Sequence, residues 1–163
     1  MIYQGAARYP VTAIIIHCTA TPANWRPDDT PRGRVEAIRR MHMAPPPAGR
    51  GWRDIGYHWL IDRDGTVLPG RPETEIGAHV AGRNAGTIGV SLFGGLTSQP
   101  KDAFLRNYTP AQESALLRLL SEIGRRTAIS EISGHRQYDK GKACPGFWVP
   151  DWLRARGIKV GTK

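Results

Sequence analysis

Apolar residues along the chain follow two periodicities, and the switches between them mark out the elements. In "VTAIIIHC" (residues 11–18) they are β-branched and almost continuous, which predicts a buried strand with His17 near its C-terminal end. "PRGRVEAIRRMHM" instead spaces Val35, Ile38 and Met41 by three, the pattern of an amphipathic helix. The following "APPPAGRG" (44–51) is expected to be a loop, because proline lacks the N–H donor and clashes with the preceding helical turn. Strand-like alternation resumes on both sides of Asp64-Gly65 in "YHWLIDRDGTVLPG", predicting a hairpin. "TIGVSLFGG" (87–95) reads as a further strand ending in a glycine turn.

Helical spacing returns in "YTPAQESALLRLLSEIGRR", where Thr109 is the predicted N-cap, Pro110 the first helical residue and Gln112 the capping-box partner. Leu116, Leu119, Leu120 and Ile123 form its apolar face. "TAISEISGH" predicts a short strand leading to His135, and "PDWLRARG" a last helix closed by Gly157. Strands interleaved with helices, plus one hairpin, predict an α/β fold: a single domain over residues 1–163 with a mixed central β-sheet flanked by α-helices.

Composition changes this picture little. The 163 residues suit one core, and the 19 glycines and 13 prolines mark its loops. No run approaches the ~20 apolar residues of a membrane helix, and the N-terminus lacks the charged head and apolar segment of a signal peptide. A soluble protein made in the cytoplasm, with no membrane span, is therefore expected. Charge says more: 23 Lys and Arg against 14 Asp and Glu give +9, which favours an anionic partner. Nucleic acid, anionic lipid and acidic cell-wall polymer all qualify. The basic residues are scattered in short pairs such as Arg39-Arg40 and Arg125-Arg126, without an aromatic-interleaved tract, so no dedicated nucleic-acid site is expected.

The chemistry centres on Cys144 in "KGKACPGFW". Two cysteines without a signal peptide argue against a disulfide framework. A buried apolar residue, half of a single Cys18–Cys144 disulfide, a nucleophile or a metal ligand all stay open. His17, His135 and Cys144 each lie at the end of a predicted strand or in a loop, where scaffolds present reactive groups. Three N/S donors with an open fourth position would make a catalytic zinc site, yet spacing alone does not separate this from histidines and a cysteine that merely pack. Cys18 neighbours His17 in a strand, points to the opposite face, and fits the packing role.

Five segments in order, "IIIHCTA", "GWRDIGYHWLIDRDGTVLPGR", "GAHVAGRNAGTIGVSLFGG", "YTPAQ" and "ISGHRQYDKGKACPGF", resemble successive motifs of the zinc-dependent N-acetylmuramoyl-L-alanine amidases. The similarity is strongest to bacteriophage lysozymes of amidase type, relatives of the peptidoglycan recognition proteins, and covers nearly the whole chain. The resemblance implies one Zn2+ per chain with His17, His135 and Cys144 as ligands, a catalytic Tyr57 beside the metal and a catalytic Lys142 facing the substrate carbonyl. It also implies substrate-binding roles for His79 and Asn84, the latter shared with shaping its own turn, and gives none to His42 or His58. The expected reaction is hydrolysis of the amide between N-acetylmuramic acid and L-alanine in peptidoglycan by a monomeric phage endolysin, bacteriolytic once the inner membrane is permeabilised and the periplasm reached. A cytoplasmic muropeptide-recycling amidase and a non-catalytic peptidoglycan recognition module are the competing implications. The second is disfavoured by Cys144, since relatives that bind without cutting commonly lack the metal cysteine.

Overall fold

The continuous apolar runs become the two central strands of the sheet. In a computed structural model describing residues 1–160, β3 (Ala13–Cys18) and β6 (Thr87–Leu92) are buried along their whole length. They pair in parallel, with Ala13 opposite Thr87 and His17 opposite Ser91. Before them stands a two-stranded ribbon, β1 (Tyr3–Gln4) with β2 (Tyr9–Pro10), which the apolar pattern does not signal. β4 (Trp59–Ile61) runs parallel to β6, and β5 (Val67–Pro69) folds back antiparallel on β4 through the Asp64-Gly65 turn. β7 (Glu131–Gly134) joins the other side of β3, giving a mixed five-stranded sheet in the order β5-β4-β6-β3-β7.

Alternation along the strands sends two sets of residues to two faces. Ile14, Ile16, Ile88, Val90, Leu92 and Ile132 form the larger core with α3 (Pro110–Arg126) and α4 (Val149–Ala155). The opposite face holds a smaller cluster in which Val35 and Ile38 of α1 (Pro31–Met43) meet Ile55, Leu60 and Phe93. The single-domain, mixed-sheet α/β architecture is as expected. The domain expectation over 1–163 extends to residues 161–163, which lie outside the described residues.

Helix signals are realised in detail. Thr109 Oγ1 accepts from the Gln112 N–H at 3.1 Å while Gln112 Oε1 accepts from the Thr109 N–H at 3.0 Å. The same buried Gln112 donates to the carbonyls of Phe93 and Ile61, so the cap also ties α3 to the ends of β6 and β4. Gly157, at φ 67°, follows α4 as the sequence requires. A short α2 (Phe104–Asn107) precedes Thr109 without an apolar period to announce it.

Two expectations need correction. Met41 is 53% exposed and not part of the α1 stripe, because it falls at the rim of a cleft at the end of the helix. The strand anticipated from Tyr57 onward begins only at Trp59, leaving Tyr57 ahead of the sheet and free to face that cleft.

Candidate metal centre

His17, the fifth residue of β3, projects by strand alternation onto the α1 face and is 1% exposed. His135 opens the 3₁₀ turn (His135–Gln137) that directly follows β7, the neighbour of β3. Cys144 arrives on the loop after that turn. The Arg136 N–H donates to the Cys144 carbonyl at 2.9 Å, which joins the segments carrying His135 and Cys144. The Arg136 guanidinium closes the same loop through the carbonyls of Lys140 and Lys142. One donor atom from each of His17, His135 and Cys144 lies within 4.8 Å of the others.

These distances suit a small tetrahedral ion. Zinc–sulfur and zinc–nitrogen bonds of about 2.3 and 2.05 Å place sulfur and nitrogen about 3.6 Å apart at the tetrahedral angle. Cys144 Sγ and His17 Nδ1 are 3.9 Å apart, so a small contraction would complete the pair. His135 and Cys144 line a cleft of about 480 Å³, and His17 lies buried behind them.

The site's electrostatics prepare the same donors. Burial holds His17 well below the usual histidine range, with the His79, His135 and His58 rings adding to the effect. His135 is lowered first by burial and then by the Lys142 charge, against Asp139. Both imidazoles are therefore neutral, the form that binds metal. Cys18 takes its expected packing role, 6% exposed in the larger core, and its thiol in addition meets Cys144. The hydrogen bond between the two thiols draws Cys18 down to about 7 despite burial, and pushes Cys144 up together with burial. The Cys18 N–H also donates to Cys144 Sγ at 3.2 Å.

Tyr57 and Lys142 line the cleft beside the three donors, as the sequence suggests. The Tyr57 ring lies 5.3 Å from His17, and burial, followed by the negative charge of the two cysteines, raises its phenol well above the usual range. Beside it lies Ser91 Oγ, which is buried and makes no hydrogen bond of good geometry. Among the described residues, Arg50 and Lys142 are the cleft's cations and no carboxylate lines it.

His79 and Asn84 are placed differently from the other candidates. The His79 ring touches the cleft, but it is 7% exposed and both its nitrogens are engaged, Nδ1 by His17 and Nε2 by Thr87. Asn84 does not line the cleft. Its Oδ1 accepts from the backbone N–H groups of His79 and Val80, fixing the turn that carries His79. His42, to which no role is given by motif, does line the cleft; its Nδ1 accepts from the Gly56 N–H and its ring is 5.5 Å from Tyr57. Its position in the last turn of the α1 helix, beside exposed Met41, is the only signal that could have found it. His58 behaves as a structural bridge between Gly89 N–H and the Glu75 carbonyl.

The family model for N-acetylmuramoyl-L-alanine amidase matches residues 7–147, which include every residue of this cluster. The chain belongs to the N-acetylmuramoyl-L-alanine amidase family. It is 35% identical over 151 residues to the endolysin of Enterobacteria phage K11, spanning 93% of this chain and 91% of that one. The endolysin of Escherichia phage T7 is 37% identical over 149 residues, 91% of this chain and 89% of the relative. Among solved structures, bumblebee PGRP-SA superposes with a TM-score of 0.74 at 25% identity, covering all of this chain and 90% of its own.

Proposed function

We propose that this amidase hydrolyses the bond between the lactyl group of N-acetylmuramic acid and the L-alanine of the stem peptide, using one zinc ion held by His17, His135 and Cys144. The observation that carries this reading is the convergence of two neutral imidazoles and a thiol at the floor of an open, basic cleft. When bound, zinc supplies Lewis acidity, lowering the pKa of a coordinated water to about 7 and polarising a carbonyl.

In hydrolysis the water oxygen bonds to the carbonyl carbon, the C–N bond breaks, and a proton must reach the departing alanine nitrogen. Among the described residues no carboxylate lines the cleft; the neutral His42 ring and the Tyr57 phenol are the side chains there that can pass a proton, and we assign Tyr57 to the site of reaction because its ring lies beside His17. Held protonated, Tyr57 donates a hydrogen bond to the oxygen that gains charge, and Lys142 adds a positive charge at the same rim. One such donor is worth about 3 kcal/mol of barrier when well aligned. Arg50 and Lys142 also match the carboxylates of a stem peptide. His42 offers its free ring edge to the bound chain, and Trp52 packs edge-to-face against it with ring centroids 5.0 Å apart.

The likeness to phage endolysins supports a role in phage lysis; on this reading the enzyme is a monomer made in the host cytoplasm that reaches peptidoglycan in the periplasm after the inner membrane is breached. Among the described residues no helix is long and apolar enough to cross a membrane. The test is digestion of intact Gram-negative sacculi beside soluble anhydro-muropeptides, with products identified by mass. Free peptides beginning with L-alanine, released faster from sacculi, are expected. Preference for the soluble substrate would identify a recycling enzyme, and binding without any peptide release would identify a recognition module.

A further inference from the structure

The buried hydrogen bonds behind His17 have a direction, and it can be worked out atom by atom. Thr87 Oγ1 has a single proton and two carbonyls to receive it, Arg83 O at 2.8 Å and Asn84 O at 3.0 Å. Its hydrogen is therefore committed to the backbone, and toward His79 Nε2, 3.2 Å away, it can only accept. His79 must then carry its proton on Nε2. In a neutral ring this leaves Nδ1 as an acceptor, and Nδ1 lies 3.0 Å from His17 Nε2. His17 accordingly donates from Nε2, and its lone pair is on Nδ1, the atom that faces Cys144 Sγ. The positions are rigid: Asn84 Oδ1 fixes the His79 backbone, and the His79 ring lies flat over Gly89 in the middle of the sheet.

We infer that Thr87 and His79 form a buried relay that selects the Nε2–H tautomer of His17 and so presents its Nδ1 lone pair to the metal. His79 is thereby a positioning residue, acting through His17, in place of the substrate contact expected from its motif. The backbone carbonyls of Arg83 and Asn84 are the ultimate reference for the tautomer, three hydrogen bonds away from His17. Orientation of this kind matters because the partners of a ligating imidazole commonly change metal affinity by about 10–100-fold. The inference rests on the zinc reading for its purpose, but the tautomer itself is a property of the metal-free chain.

Two measurements separate the inference from that reading. The first is the 15N NMR signature of the histidine rings in metal-free wild-type protein, where His17 and His79 are both expected as Nε2–H tautomers. A His17 ring protonated on Nδ1 would overturn the relay whatever zinc does. The second is zinc affinity by chelator competition for wild type, His79→Leu, His79→Asn and Thr87→Val. His79→Leu is expected to weaken zinc binding about 10–100-fold, Thr87→Val to weaken it in the same direction, and His79→Asn, whose side-chain oxygen can stand near Nδ1, to recover most of the loss. Folded His79→Leu and Thr87→Val variants that bind zinc as tightly as wild type would refute the relay. Should His79→Leu fail to fold, Thr87→Val and the wild-type tautomers decide. Failure of wild type itself to bind zinc would instead overturn the zinc reading.

Discussion

A methyl group added at Gly89 is expected to damage both the fold and the metal centre. A Cβ built there would lie 2.7 Å from His79 Cγ, 2.8 Å from Cδ2 and 2.9 Å from Nδ1. Ordinary carbon contacts are about 3.5–4.0 Å, so the overlap is about 1 Å. The backbone cannot withdraw, because Gly89 is in β6 between β4 and β3, with its N–H on His58 Nδ1 at 3.0 Å and its carbonyl taking the His58 N–H at 2.9 Å. His79 must move instead, which breaks its bond to His17. Overpacking of this kind costs about 2 kcal/mol and the lost hydrogen bond about 1, together about 3 kcal/mol for Gly89→Ala. In a chain of this length that lowers Tm by about 6–12 °C. The assay is thermal unfolding of metal-free protein, with Gly124→Ala as control. Gly124 lies exposed in α3 with open space around its Cβ position, and alanine there should stabilise by about 0.5–1 kcal/mol. A Gly89→Ala protein that melts with the wild type would refute the reasoning.

Other consequences follow from the cleft. His17, His79 and His135 are held neutral in the fold chiefly by burial, and His42 is lowered to about 4 by the same cause. The unfolded chain takes up these protons near pH 6.5, so their contribution is fully present above about 6.5 and stability falls as pH drops below it. Urea midpoints of metal-free protein should decline on acidification through that range; a flat or rising profile would contradict the burial of these rings. Tyr57→Phe should lower kcat about 10²–10³-fold while zinc stoichiometry stays at wild type, and unchanged turnover would remove the phenol from the mechanism. Binding of the +9 chain to sacculi should weaken as salt rises, measured by co-sedimentation. Salt-insensitive binding would show that net charge plays no part.

The parts of this molecule that were legible in its sequence are those fixed by local chemistry. The β-branched runs of β3 and β6 admit little but buried strands, and the Thr109–Gln112 cap is a contact between residues three apart. The candidate donors His17, His135 and Cys144 were legible through their motifs, though their convergence depends on β7 docking beside β3. What stayed hidden depends on long-range packing. The roles of His79 and Thr87 arise because a loop folds flat over Gly89, and the meeting of Cys18 with Cys144 spans 126 residues. Met41 looked apolar by spacing but falls at a helix end where the core stops, and His42 gains its place for the same reason. Periodicity reports which face of an element is buried only while a partner element continues beside it.

The central claim is that peptide release and zinc occupancy at His17, His135 and Cys144 are one property. The most direct measurement titrates metal-free protein with zinc while following bound zinc and L-alanyl peptide released from sacculi in the same samples, with Cys144→Ser alongside. Release that rises in step with zinc and saturates at one ion per chain, and is lost in Cys144→Ser, is the expected result. Release that proceeds undiminished without zinc, or that survives in Cys144→Ser with its zinc affinity unchanged, would contradict the account.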